Sequence, residues 1–151
     1  MMTYKKQSSI HEILEIVDQF EAFDLNRVSK ILKFELLKNE DRSNNAFTFY
    51  EGKCAASNCK FNAAELRQSN HKSKIKNGHL KLTLNSIQYN FTQNQLIDEL
   101  GEPEISPPDP NQLKNPTLYF SYDIEGKHYS FGFPYASNAK DELMTIIIRP
   151  N

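Results

Sequence analysis

The chain has 151 residues, enough for one domain, and its 38% hydrophobic and 25% charged content predicts folding rather than disorder. A net charge of −1 argues against a nucleic-acid binder that relies on a broad basic face, and no apolar run approaches the length of a membrane span. Ten Phe and seven Tyr, with no Trp, lean the composition toward strands.

From the amino terminus, Met1 to Lys6 is polar and does not read as a signal peptide; a secreted chain whose signal had been removed would read the same way. Ser9-Ile10-His11-Glu12 forms a capping box, and Ile10, Ile13, Leu14, Val17 and Phe20 follow at helical spacing on one apolar face. Asp24 caps a second, shorter helix that turns Leu25, Val28, Ile31 and Leu32 inward. Lys38 to Asn45 is polar and reads as the exit loop. Strands are then predicted over Phe47 to Tyr50, from Lys60-Phe61 through Leu66, and around Leu80, Leu82 and Leu84, where alternation with His79, Lys81 and Thr83 gives the period of a half-buried strand. Arg67 to Gly78, with Lys72, Lys74 and Lys76, reads as a hairpin loop rather than a phosphate-binding patch.

Cys54 and Cys59 bracket Ala55-Ala56-Ser57-Asn58 at what reads as a hairpin mouth, close enough to bridge. A bridge points to an oxidising compartment such as the periplasm; two reduced thiols in a cytoplasmic protein are the alternative.

The pattern then recurs. Thr92-Gln93-Asn94-Gln95 is a second capping box, opening a helix with Leu96, Ile97 and Leu100. Gly101 stands at the left-handed helix-ending position, and Pro103 stops any continuation. The proline-rich, acidic stretch from Gly101 to Pro116 suits neither a helix nor a central strand. Strands follow over Leu118 to Ile124, Tyr129 to Phe133 and Leu143 to Arg149, with a tight turn at Glu125-Gly126-Lys127.

Residues 23–32, beginning Phe23-Asp24-Leu25-Asn26, align with 91–100, beginning Phe91-Thr92-Gln93-Asn94, and both segments close on Leu. Phe47 to Lys53 similarly resembles Phe120 to Lys127. The expectation is an α+β fold in one domain, made of two pseudo-repeats, about 9–85 and 86–151. Each repeat is helix plus three-stranded antiparallel meander, and the helices pack on one face of a joined sheet, because neither half has enough core alone.

The second half, with Leu100-Gly101-Glu102-Pro103 followed by the aromatic strand Leu118-Tyr119-Phe120-Ser121-Tyr122, resembles the SmpA/OmlA outer-membrane lipoprotein module. The first half departs from it, since Leu32-Lys33-Phe34-Glu35 lacks the Gly and Pro. Two such modules in tandem are similar to the β-lactamase inhibitory protein fold, whose paired sheets form a concave protein-binding surface. Related small folds occur among immunity proteins that neutralise toxins delivered between competing bacteria, as in type VI secretion. The resemblance implies extracytoplasmic protein binding, with a lipid anchor upstream compatible with it.

No catalytic or cofactor motif is legible. Cys54, Cys59, His71 and His79 imitate the order of a zinc finger, but the His pair is too widely spaced for successive turns of one helix. Nothing flanking either cysteine suggests an activated nucleophile, and the five glycines form no phosphate cradle. Alternation assigns Tyr119, Ser121, Asp123, His128, Ser130, Thr145, Ile147 and Arg149 to the outer sheet face, together with Thr48, Tyr50, His79, Lys81 and Thr83 from the first half. The expected function is a protein-binding inhibitor without enzymatic activity or cofactor, an immunity protein that occludes a cognate toxin or effector. Tyr50, His79, Lys81, Tyr119, Asp123, His128 and Arg149 would lie in its interface, with Glu104 and Asp109 on a clamping loop. A structural envelope subunit is the alternative.

Overall fold

The computed structural model describes residues 10–19, 24–55, 59–70, 79–85, 91–106, 117–134 and 145–150. Among these residues it is an α+β fold of three helices and one eight-stranded antiparallel sheet. The helices are α1 (Ile10–Asp18), α2 (Leu25–Leu32) and α3 (Gln93–Leu100). The strands are β1 (Leu37–Lys38), β2 (Phe47–Lys53), β3 (Phe61–Ser69), β4 (His79–Leu84), β5 (Glu104–Ser106), β6 (Thr117–Ile124), β7 (Lys127–Pro134) and β8 (Thr145–Pro150).

Capping chemistry explains where two of the helices begin. Asp24 accepts from the backbone N–H of Arg27 at the start of α2, and Thr92 and Gln95 bond reciprocally at the start of α3. Ser9 lies outside the described residues. At the helix ends the roles differ from expectation. The left-handed C-cap is Lys33 of α2, whereas Gly101 has positive φ with extended ψ. Gly101 still ends α3, and its carbonyl accepts a hydrogen bond from the Tyr122 hydroxyl at 2.8 Å.

The strand order is β1-β2-β3-β4-β8-β7-β6-β5, so each half of the chain runs from one sheet edge to the middle, where β4 and β8 pair. Two strands were not legible in the sequence. Lys38, expected in a loop, pairs with Tyr50, and Ile105 pairs with Phe120. Both belong to edge strands of two or three residues, too short to show a period. Residues Arg67 to Ser69, also expected in a loop, continue β3 opposite Phe47 to Phe49. Glu125 and Gly126, both with positive φ, form the two-residue turn between β6 and β7.

Register sorts the side chains onto two faces, because directly paired residues share a face. Leu66, Leu80, Ile148, Tyr129 and Tyr122 lie in one cross-strand row, and Ala64, Leu82, Ile146, Phe131 and Phe120 in the next. These residues join Ile10, Ile13, Val17, Val28, Leu32 and Leu96 from the helices in a single buried cluster. Tyr122 meets Phe131 edge-on at 5.9 Å between ring centres, and Tyr129 stacks on Phe131 at 6.0 Å.

Cys54 and Cys59 form a disulfide across the β2–β3 hairpin mouth, with Cα atoms 6.4 Å apart. Cys54 N–H also donates to the Asn62 carbonyl, and the Asn85 amide donates to the Cys59 carbonyl at 2.7 Å.

Candidate functional site

The second face of the sheet carries most of the sequence-selected polar and charged residues. Its first row runs Phe49, Arg67, His79, Arg149, His128 and Asp123. His79 and Arg149 come next to each other because they extend the register just past the Leu80–Ile148 pair. The second row is Leu37, Glu51, Glu65, Lys81, Ile147, Ser130, Ser121 and Glu104. The third is Lys53, Ala63, Thr83, Thr145, Gly132, Tyr119 and Ser106.

His79, Lys81, Tyr119, Asp123, His128 and Arg149 therefore stand on this face, as the alternation predicts, and Glu104 stands at its β5 edge. Thr48 and Tyr50 do not. Tyr50 pairs with Leu66 and packs against the hydrophobic core, so Phe47 and Phe49 take the polar side instead. Gly52 sets this phase: a Cβ there would overlap the Glu35 carbonyl and the Leu36 side chain, so β2 lies directly against the chain that follows α2. Asp109 lies outside the described residues.

Each Phe on the polar face is covered by a guanidinium. Arg67 sits 4.5 Å from the centre of the Phe47 ring and Arg42 sits 4.5 Å from that of Phe49. Arg42 also bridges Glu51 at 2.8 Å and Glu65 at 2.9 Å, which holds its own charge firmly. Hydrogen bonds from Asn39 and Arg42 in turn hold the Glu51 carboxyl below its ordinary range. These two acids thus share the single Arg42 guanidinium.

Arg67, His79 and Arg149 of the first row make no such ion pair among the described residues. Among the described residues, the buried Nε of Arg67 and the buried Nδ1 of His79 have no hydrogen-bond partner. Burial, then the charges of Arg67 and Arg149, push the His79 imidazole down to about 4. Burial and Arg149 also lower Arg67. At the far end His128 Nδ1 contacts Asp123 Oδ1 at 2.8 Å. An open groove of about 420 Å³ runs beside the row, lined by Glu51, Lys53, Ala63, Glu65, Lys81 and Thr83.

At the β6–β8 end the face is closer-packed than a solvated surface. Thr117, Ser121, Ser130 and Thr145 are buried, and the Ser121 and Ser130 hydroxyls meet at 3.2 Å. Gly132 allows the Tyr119 ring and the Thr145 hydroxyl to approach its backbone, where any Cβ would collide with both. Small side chains set between larger neighbours are shielded even on an outer face.

No family model, no curated protein and no solved structure matches the chain. Function is therefore argued from the chemistry of this face. The Cys54–Cys59 disulfide uses both thiols of the finger-like set, and His71 lies outside the described residues. Sequence reasoning missed Arg67, Phe47 and Phe49 as face residues. The alternation of Ala64 and Leu66 with Glu65 and Arg67 could have placed Arg67, but the register shift between Phe61 and Ala63 hides that period.

Proposed function

We propose that this protein is a non-catalytic, protein-binding inhibitor, most concretely an immunity protein that neutralises a cognate bacterial toxin or effector by covering its active site. The observation that carries the reading is the contiguous polar face. Tyr119, Ile147, Arg149, His79 and Lys81 project from a rigid eight-stranded sheet, and this mixture of aromatic, aliphatic and Arg side chains is typical of interface centres.

The reading includes a tandem repeat of helix and meander, with the helices gathered on one side and the polar face left to a partner. The mirrored strand order and the single buried cluster support it. It also includes an extracytoplasmic, periplasmic setting, supported by the disulfide. Among the described residues no helix is long and apolar enough to cross a membrane.

The test is protection. Co-expressed with the product of the adjacent gene as the candidate toxin, the wild-type chain should restore growth, and Tyr119→Ala with Arg149→Ala should reduce both protection and affinity. Full protection by an Ile147→Glu variant, which sets a charge in the middle of the face, would discard the reading.

A further inference from the structure

We propose that Arg67, His79 and Arg149 form a seat for a carboxylate, an acidic side chain that the bound protein inserts against the β3–β4–β8 part of the face. This rests on the protein-binding reading above and names the chemistry of the partner. Three observations converge on it.

First, like charges held close together are unfavourable, yet the Arg67 and Arg149 guanidiniums flank the neutral His79 ring from the strands on either side of it. An anion placed among them converts that repulsion into attraction. Second, the Arg67 guanidinium is held in place before any ligand arrives. One face rests on Phe47, and its buried Nε has no acceptor among the described residues. That Nε is closed off from solvent, so an incoming carboxylate would bond the outer N–H groups of this anchored guanidinium. Third, no acid among the described residues forms an ion pair with either guanidinium: Glu51 and Glu65 bridge Arg42, Asp123 contacts His128, and Glu65 reaches Arg67 and His79 only as a nearby charge.

The geometry favours an acidic protein segment over a nucleic acid. A polyanionic backbone laid across the face would run from the cationic row onto Glu51 and Glu65 on one side or Asp123 on the other. A single carboxylate reaches the row alone. The planar guanidinium fork matches a carboxylate with two parallel bonds.

The experiment follows the His79 ring resonances of the full chain by NMR at neutral pH during titration with hexaglutamate, hexaglutamine, inorganic phosphate or a decathymidylate oligonucleotide. The expected result is a saturable shift with hexaglutamate that weakens with salt, and none with hexaglutamine. Arg149→Gln, at an exposed position, and Arg67→Gln should each weaken it about fivefold or more, while Arg67→Lys restores it only in part. The absence of a saturable shift, a shift unchanged in both Gln variants, or tighter binding of phosphate or oligonucleotide than of hexaglutamate would overturn the seat. The wider reading is tested apart from it. Partner binding that survives Arg67→Gln and Arg149→Gln but is abolished by Ile147→Glu removes the seat and keeps the binding face. Hexaglutamate binding at His79 in a protein whose partner ignores Ile147→Glu keeps the seat and removes the face.

Discussion

The carboxylate of Glu99, in the last turn of α3, accepts a hydrogen bond from the backbone N–H of Ile10 at 3.0 Å. The first helix is thus capped by a residue 89 positions away. Free N–H groups and the helix dipole at an N-terminus both favour a carboxylate. Glu99→Ala should cost about 1 kcal/mol of folding stability, and Glu99→Gln, which keeps an acceptor but not the charge, less than that. Urea unfolding midpoints check this, with Asp98→Ala on the exposed face of α3 as the control expected to stay near wild type.

Gly52 and Gly132 are required by space rather than by φ. A Cβ at Gly52 would meet the Glu35 carbonyl, a backbone atom that cannot rotate away; at Gly132 it would meet the movable side chains of Thr145, Thr117 and Tyr119. Gly52→Ala should therefore destabilise by about 2 kcal/mol or more, and Gly132→Ala by less. Equal losses in thermal unfolding would contradict the distinction. A further outcome belongs to Gly132 alone: on the proposed protein-binding reading, moving Tyr119 should alter partner affinity even where stability is nearly kept.

The Cys54–Cys59 disulfide closes a loop between residues only five apart in sequence, so its effect on the unfolded chain is modest. Loop-closure entropy gives about 2 kcal/mol for a loop of this size. Replacing both cysteines with Ser should lower stability by about that amount and leave the β2–β3 pairing intact, since seven residue pairs hold this hairpin. Loss of the hairpin amide protection in hydrogen exchange would show that the bridge instead organises the strands.

What was legible in the sequence was what repeats over many residues. Asp24 and Thr92 marked helix starts because a capping side chain followed by an apolar period is a local signal. Leu80, Leu82 and Leu84 marked a strand face for the same reason, and with it the positions of His79 and Lys81. Phe47 to Tyr50 defeated the argument. Aromatic residues fall on both phases there, and the choice is made by Gly52 against Glu35 and Leu36, a contact with a segment that the sequence does not identify. Arg67 was obscured by the register shift after Phe61, and β1 and β5 are too short to carry a period. The candidate seat needed all of this, since it joins residues from β3, β4 and β8 that only the register sets side by side.

The same register gives His79 a pH signature. Its imidazole faces Arg67 on β3, Arg149 on β8 and Lys81 on its own strand, against the single nearby acid Glu65, and burial together with these cations holds it at about 4. An unfolded chain protonates His near about 6.5. Between those values the unfolded state binds more protons than the folded one, so stability rises with pH across the interval. The neutral-His contribution is complete above about 6.5 and is lost as pH falls through about 4. Glu51, with its carboxyl held below its ordinary range, contributes in the same direction but only in more acidic solution. Urea midpoints measured every half unit should therefore decline from neutral pH toward pH 4 in the wild type, and His79→Gln should flatten that decline above pH 5 while leaving the steeper acid limb. Because the repulsion by Arg67 and Arg149 is screened by salt and the burial is not, added salt should shrink the decline without abolishing it. A His79→Gln curve that superposes on the wild type would mean that the imidazole is not held between these cations in solution, and the seat would lose its middle member.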